Sequence, residues 1–355
     1  MLVRRALPAV VAALVALVAC GSDDDAAPVT VAATVPAAPT VARAPSTATG
    51  VAMRTVEGAY GPVEIPTDPQ RIMGDLMSVD YLSALGMDTD GFVGVFDASF
   101  FPADHYLADV VGRPDLVDPG FQFEPNIEQV AAAEPDLIVA PFDQIDGAPA
   151  LDELRQIAPV LVVPTSDSRD PAVRYGGTAS FQDWRTTLRT YGRLFDADAA
   201  AEAYIAETEE LIADLRTEHG ALIDASTATE MKSTPDGVTI NALTSAQDSG
   251  VLGTILLSEL GFQAPPQQAA ATVDEYGSIT LSHENLDLVD GDLLFVEVRE
   301  GARTYEESPL WGTLQVVQGG GVAEVGNHWE YGGAVAARAV LADIAAGLDG
   351  LAGRG

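Results

Sequence analysis

The sequence predicts an α/β protein, and three observations predict that class. Short apolar runs bounded by turn residues alternate along the chain with segments of helical periodicity. The run Asp136-Leu137-Ile138-Val139-Ala140 is almost wholly apolar, the pattern of a parallel strand buried on both faces. Between two stretches that each alternate in this way lies one uninterrupted helical segment, Ala199 to Leu222. Its apolar or small residues Ala201, Tyr204, Ile205, Thr208, Leu211, Ile212, Leu215 and Leu222 share one helix face. No Gly or Pro precedes Gly220, and Asp196 or Asp198 is placed to cap the start. At about 1.5 Å per residue the segment runs roughly 35 Å. Two arrangements meet this pattern: a rod fixing two α/β lobes with a cleft between them, or a long surface helix on one large domain.

The elements follow in order. Arg4 and Arg5 precede the apolar run Ala6 to Ala19, too short to span a bilayer comfortably but of signal-peptide length. Small residues before the lone cysteine, in Leu17-Val18-Ala19-Cys20-Gly21, resemble the bacterial lipobox. Cys20 would then be lipidated and hold the protein at an outer membrane face. The alternative is a plain signal peptide with an incidental cysteine. Residues 20–53, rich in Ala, Pro, Thr and Val, predict an extended tether.

Val56 to Ile65 predicts a hairpin around Gly58 and Gly61-Pro62. Strands are expected at 71–73, 92–95, 136–140 and 160–163, and helices at 78–85, 126–133, 149–157 and 181–195. Asn126 followed by Gln129 fits a capping arrangement. Residues 96–122 and 166–177 read as loops. After the long helix, strands are expected at 229–232, 238–241, 292–296 and 322–325, and helices at 250–260, 283–289, 309–317 and 333–347. Asn285-Leu286-Asp287 and then Asp292-Leu293-Leu294 echo Asn126-Ile127-Glu128 and then Asp136-Leu137-Ile138. One helix–turn–strand device thus serves each half. The expected division is 1–19 signal, 20–53 tether, 54–195 first lobe, 196–222 backbone helix and 223–355 second lobe.

A formal charge of −35 argues against nucleic acid and against adhesion to anionic lipid by charge. A cationic partner surface would be attracted. The single Cys20 excludes an internal disulfide. Enzyme chemistry finds little support. There is no G-x-G-x-x-G after a strand, no phosphate loop with its Lys, and no G-x-S-x-G elbow. His105, His219, His283 and His328 are scattered, with no i, i+4 pair for a metal. Gly319-Gly320-Gly321 reads as a turn, because no helix start follows it to hold an anion.

Several stretches, in one order, resemble the iron–siderophore substrate-binding lipoproteins of ABC importers, the ferric-hydroxamate and ferric-enterobactin binding type. They are Thr67-Asp68-Pro69-Gln70-Arg71-Ile72; Glu124-Pro125-Asn126-Ile127-Glu128 through Pro135 to Val139; Gln156-Ile157-Ala158-Pro159-Val160; Leu256 to Gly261; and Pro309-Leu310-Trp311 through Trp329-Glu330-Tyr331-Gly332. The resemblance implies the helical-backbone periplasmic-binding-protein fold, with two lobes bridged by the long helix. It implies ligand capture without catalysis, no cofactor and no metal ligand from the protein, since a siderophore already holds its iron. It also implies an ABC importer permease as partner; a monomer is the default.

Carried over residue by residue, the resemblance makes Trp329 and Tyr331 cleft aromatics. Gln122 stands where relatives carry a ligand-contacting Arg, a departure from the pattern. Phe142 and Asp143 match another contact position. Arg299 and Arg303 are placed to meet an anionic chelate. Arg113, Arg174, Tyr175 and Trp184 are weaker candidates. For docking to the permease, Asp152 with Glu153 matches the first-lobe position, and Glu306 or Glu307 is its symmetric counterpart. The same scaffold could instead hold haem or a corrinoid, or serve a surface protein without transport. The acidity disfavours a tris-catecholate chelate by bulk field, unless local arginines override it. The reading depends on a long helix between two sheets and on Trp329 and Tyr331 facing a groove.

Overall fold

A reversal at Ala59-Tyr60 turns β1 (Met53–Gly58) back into β2 (Gly61–Pro66), with Gly58 opposite Gly61. Gly61 takes φ +107°, which glycine adopts without steric cost. The computed structural model describes residues 51–100, 105–122, 124–140, 149–164, 183–243, 251–274, 277–282, 284–330 and 332–353. Cys20, Phe142, Asp143, Arg174, Tyr175, His283 and Tyr331 lie outside the described residues.

Beyond the hairpin come β3 (Ile72–Gly74), α1 (Leu76–Ala84), β4 (Phe92–Val95), α2 (Ala108–Val111), α3 (Ile127–Ala132), β5 (Leu137–Ala140), α4 (Pro149–Ile157), β6 (Val160–Val162) and α5 (Trp184–Leu194). The four strands β3 to β6 form one parallel sheet in the order β4-β3-β5-β6. The long α6 (Asp198–Ala225) follows. Then come β7 (Ala228–Thr234), β8 (Gly237–Asn241), α7 (Leu252–Leu260), β9 (Ser278–Leu281), β10 (Leu293–Val298), α8 (Gln315–Gln318), β11 (Val322–Val325) and α9 (Ala334–Ala352). The second sheet has five strands in the order β11-β10-β7-β8-β9. Its β7, β10 and β11 are parallel, while β8 and β9 are antiparallel additions.

The echoed sequence device has a shared physical job. Asp136, just before β5, accepts from the backbone N–H groups of Gln70 at 2.8 Å and Arg71 at 3.0 Å, just before β3. Asp292, just before β10, accepts from Thr227 N–H at 2.7 Å and Thr227 Oγ1 at 2.9 Å, just before β7. Each carboxylate ties the start of its own strand to the start of its parallel neighbour and fixes their register. The asparagines differ. Asn126 caps α3 by accepting from Gln129 N–H at 3.1 Å, whereas Asn285 binds backwards to Ser282 and does not cap the turn that follows.

α6 spans 28 residues, longer at its C-terminal end than the sequence predicts. Neither expected aspartate caps it. The capping position falls on Ala197, with no side-chain bond. Asp196 sits at φ +55° in the tight turn from α5, and its carboxylate meets Arg54 at 3.3 Å. The helix is fastened on both sides. From α5, Arg189 pairs with Glu202 at 2.7 Å, and Gly192 lets Ala201 approach closely. From α9, Arg338 stacks over Tyr204 at 3.5 Å and donates to Thr208 Oγ1 at 2.8 Å. One apolar cluster runs from Phe92 and Leu137 in the first sheet, through Leu82, Tyr191, Ala201 and Leu341, to Leu293 and Phe295 in the second.

Two expected helices are shorter. Residues 286–289 form a 3-10 turn. The 309–317 segment splits into a 3-10 turn, Trp311–Thr313, and α8, because Leu314 adopts extended dihedrals (−64°, 139°) between them. Strand β9 was not expected, and α2 forms inside the expected loop 96–122.

A charged cleft where the two sheets meet

Asp80 on α1 joins the two sheets. Its side chain is fully buried and accepts from the backbone N–H groups of Val335 and Ala336, each at 2.9 Å, and from the Tyr106 hydroxyl at 2.9 Å. Val335 and Ala336 open α9, so the carboxylate serves as a cap for a helix from the other half of the fold. Burial pushes the Asp80 pKa up, and the donors from Val335, Ala336, Tyr106 and Gly333 oppose that shift. A Cβ on Gly333 would lie 2.6 Å from Asp80 Oδ1 and 2.7 Å from the Tyr81 ring, so this approach requires glycine.

The junction shows which ends of the sheets face each other. Asp75, immediately after β3, caps α1 through Ser78 N–H at 3.0 Å and Ser78 Oγ at 2.6 Å. Burial pushes its pKa up to about 6. Tyr106 comes from the segment after β4, and its ring lies 5.5 Å from that of His328, which follows β11. The carboxyl ends of β3, β4 and β11 therefore converge, the place where α/β sheets take ligands.

On the second sheet these ends carry a charged cluster. Lys232 and Glu297 are register partners on β7 and β10. Lys232 Nζ bonds Glu330 Oε1 at 2.9 Å; Arg299 bonds Glu297 Oε1 at 2.8 Å and also Glu330. Behind them Glu230, 1% exposed, accepts from Thr254 Oγ1. Glu230 Oε1 and Glu297 Oε2 are buried and accept no hydrogen bond. Burial pushes the Glu230 pKa up to about 8; Thr254 opposes the rise, and the neighbouring Glu297 and Glu330 add to it. Burial likewise raises Glu297 against the pull of Arg299.

A group whose folded pKa is raised holds a proton that the unfolded chain has already released. Stability therefore falls as pH rises from the unfolded carboxylate value toward about 8. Glu230→Gln is expected to flatten this fall, leaving the variant more stable than the parent at pH 8.5 by on the order of 3 kcal/mol relative to pH 5. Urea unfolding at both pH values measures the difference, and an unchanged slope would contradict a protonated Glu230.

On the first sheet Asp97 follows β4 in a left-handed conformation, φ +60°, and accepts from Gln122 N–H at 3.4 Å. Burial raises the Asp97 pKa, Gln122 lowers it and Asp118 adds to the rise. Gln122 Oε1 is buried without a hydrogen bond. Gln122 thus stands at the carboxyl end of β4, on the side where the sheets converge.

The expected cleft aromatic Trp329 is a core residue instead. It is 0% exposed, stacks on Phe295 at 4.4 Å and donates its Nε1–H to Asp343 Oδ2 at 2.8 Å. Gly253 on α7 makes the slot, since a Cβ there would lie 2.1 Å from the ring. Arg299 is at the cleft but engaged by Glu297 and Glu330. Arg303 is drawn away to β11, where Glu324 holds it at 2.7 and 2.6 Å. Arg113 pairs with Asp115 at 2.8 Å and donates to Thr89 O at 2.8 Å, at the amino end of β4 and away from the junction. Trp184 is buried in the first-half core under Arg185. His219 lies 3.6 Å from Asp349. Asp152 and Glu153 are exposed on α4, and Glu306 and Glu307 are exposed in a 3-10 turn.

Sequence reasoning missed Asp80, Glu230, Glu297 and Lys232. For Glu230 a signal existed: a glutamate inside a strand whose neighbours Thr229 and Met231 are also buried. A groove of about 710 Å³ lies elsewhere, between the β1–β2 hairpin and the start of β6, lined in part by Tyr60, Arg155 and Pro159. None of the charged groups at the converging strand ends lines it.

The sequence profile described as "Periplasmic binding protein" matches residues 76–327, well over half of the chain. The chain is 25% identical over 309 residues to the probable siderophore-binding lipoprotein YfiY of Bacillus subtilis (strain 168), covering 82% of this chain and 86% of that protein. It is 23% identical to the Fe(3+)-citrate-binding protein YfmC of the same organism, over 76% of this chain and 77% of that one. The crystal structure of the petrobactin-binding protein YclQ, also from B. subtilis, superposes with a TM-score of 0.63 at 20% identity, covering 84% of this chain and 99% of the other. That likeness establishes the helical-backbone fold with α6 as its backbone.

Proposed function

Since the chain belongs to the periplasmic binding protein family, we propose that it is the extracytoplasmic receptor of an ABC importer and binds a ferric siderophore for iron uptake. The observation that carries this reading is the similarity, over 82% and 76% of the chain, to a probable siderophore-binding lipoprotein and a ferric-citrate-binding protein. The geometry supports it: two sheets joined by one long helix, with their carboxyl ends converging on a cluster of polar and charged groups. The siderophore's own oxygens hold the iron, so the protein grips the chelate from outside and returns it unchanged. Lipidation of Cys20 would hold the receptor at the outer face of the cell membrane. The exposed acids Asp152 and Glu153 on α4, and Glu306 and Glu307 beyond β10, would meet cationic residues of the permease.

Isothermal titration against ferric hydroxamate, catecholate and citrate chelates, with haem and cobalamin alongside, tests the reading. At least one ferric chelate is expected to bind with Kd below about 1 μM, a binding free energy near −8 kcal/mol. Heat from haem or cobalamin alone would overturn the siderophore assignment.

A further inference from the structure

Whether local arginines offset the acidity of the chain depends on what those arginines do. Near the carboxyl ends of β7 and β10 the described cations are Lys232, Arg299 and Arg303, and each is bonded to a carboxylate. Lys232 is held by Glu330 at 2.9 Å, Arg299 by Glu297 at 2.8 Å and by Glu330, and Arg303 by Glu324 at 2.6 Å. The pairs Lys232–Glu330 and Arg299–Glu297 balance in charge, Glu230 behind them keeps its proton, and Glu230 Oε1 and Glu297 Oε2 are buried with no donor. Glu297 is 2% exposed and Glu230 1%.

We propose that the cleft takes a ferric chelate with no net negative charge, uncharged or cationic; this rests on the siderophore-binding reading above. An anionic chelate that takes over the Arg299 N–H groups held by Glu297 and Glu330 displaces one of those carboxylates. The displaced carboxylate would remain buried or nearly so without its cation, which is strongly unfavourable. Glu330 side-chain exposure is 13%, so water cannot compensate it fully. An uncharged or cationic chelate leaves every pair intact, and the field of a chain with formal charge −35 attracts a positive group. A metal ion is not the better occupant: among the described residues no group of three or more His, Cys, Asp or Glu is arranged to hold one.

The test varies charge on one iron core. Ferrioxamine B holds iron in three hydroxamates and carries a pendant ammonium; N-acetylation makes it neutral, and N-succinylation makes it anionic. Titrated into the intact protein, the three are expected to bind in that order, with affinity falling at least about threefold per unit of charge. Raising NaCl from about 50 to 500 mM should compress the ladder. Glu330→Gln should compress it too, by releasing Lys232 and Arg299. If that variant does not fold, the ladder on the unaltered protein decides alone. Equal or tighter binding of the succinylated form overturns the inference. So does binding of a ferric tris-catecholate or ferric citrate when none of the three binds, a result that leaves the siderophore reading standing. If no ferric chelate of any charge binds, the siderophore reading falls, and this inference with it.

Discussion

Trp329→Ala is expected to cost about 4 kcal/mol of stability, read as a lowered urea midpoint. The indole is 0% exposed, stacked on Phe295 and seated in a slot that only Gly253 leaves open. Truncation removes that packing and leaves a cavity whose walls are helix and sheet, so it closes poorly. It also strips Asp343 of an indole donor, leaving His328 as its partner at 2.8 Å. Trp329→Phe keeps most of the volume and is expected to cost about 1–2 kcal/mol. Its chelate affinity should stay within about twofold of the parent, because a residue with no exposed surface offers nothing to a ligand. A folded Trp329→Phe protein that loses tenfold in affinity would return the indole to the binding surface.

Asp80→Ala should cost about 3 kcal/mol. It leaves the N–H groups of Val335 and Ala336 and the hydroxyl of Tyr106 without their acceptor in a dry site. It also removes a negative charge from the start of a 19-residue helix. Urea unfolding gives the total. Amide hydrogen exchange gives the location, with Val335 and Ala336 losing protection before the centre of α9. A stability change below about 0.5 kcal/mol would mean that the carboxylate does not hold the halves together.

Elements carried by local pattern were legible in the sequence. α4 at Pro149–Ile157, β4 at Phe92–Val95 and β11 at Val322–Val325 fall on their expected residues. The Asp136 and Asp292 echo was legible as a repeat, but not as a bracket between parallel strands, because each carboxylate bonds a residue 65 or 66 positions away. Short segments with mixed signals were misread: Leu314 breaks an otherwise helical run, and Ser278-Ile279-Thr280-Leu281 is brief for a strand.

The site was legible in its neighbourhood and less so in its members. Arg299 and Gln122 do stand at the converging strand ends. The orientation of Trp329 was hidden, since a motif places a residue along the chain and does not say which way its ring turns. Of the conditions attached to the functional reading, the long helix between two sheets is met, the groove-facing Trp329 is not, and Tyr331 lies outside the described residues. The family membership rests on residues 76–327 as a whole and on neither aromatic alone.

The Asp80 junction has a mechanical consequence. A seam sealed by oily side chains resists parting in proportion to the area pulled apart, wet or dry. The part of a seam that a buried carboxylate closes holds only while solvent is kept out, because water molecules can replace the donors it gives up. The polar part of the joint is therefore open to hydraulic release: moisture wedged into the crease at Gly333 would free the start of α9, while the apolar cluster that spans both sheets keeps the halves together.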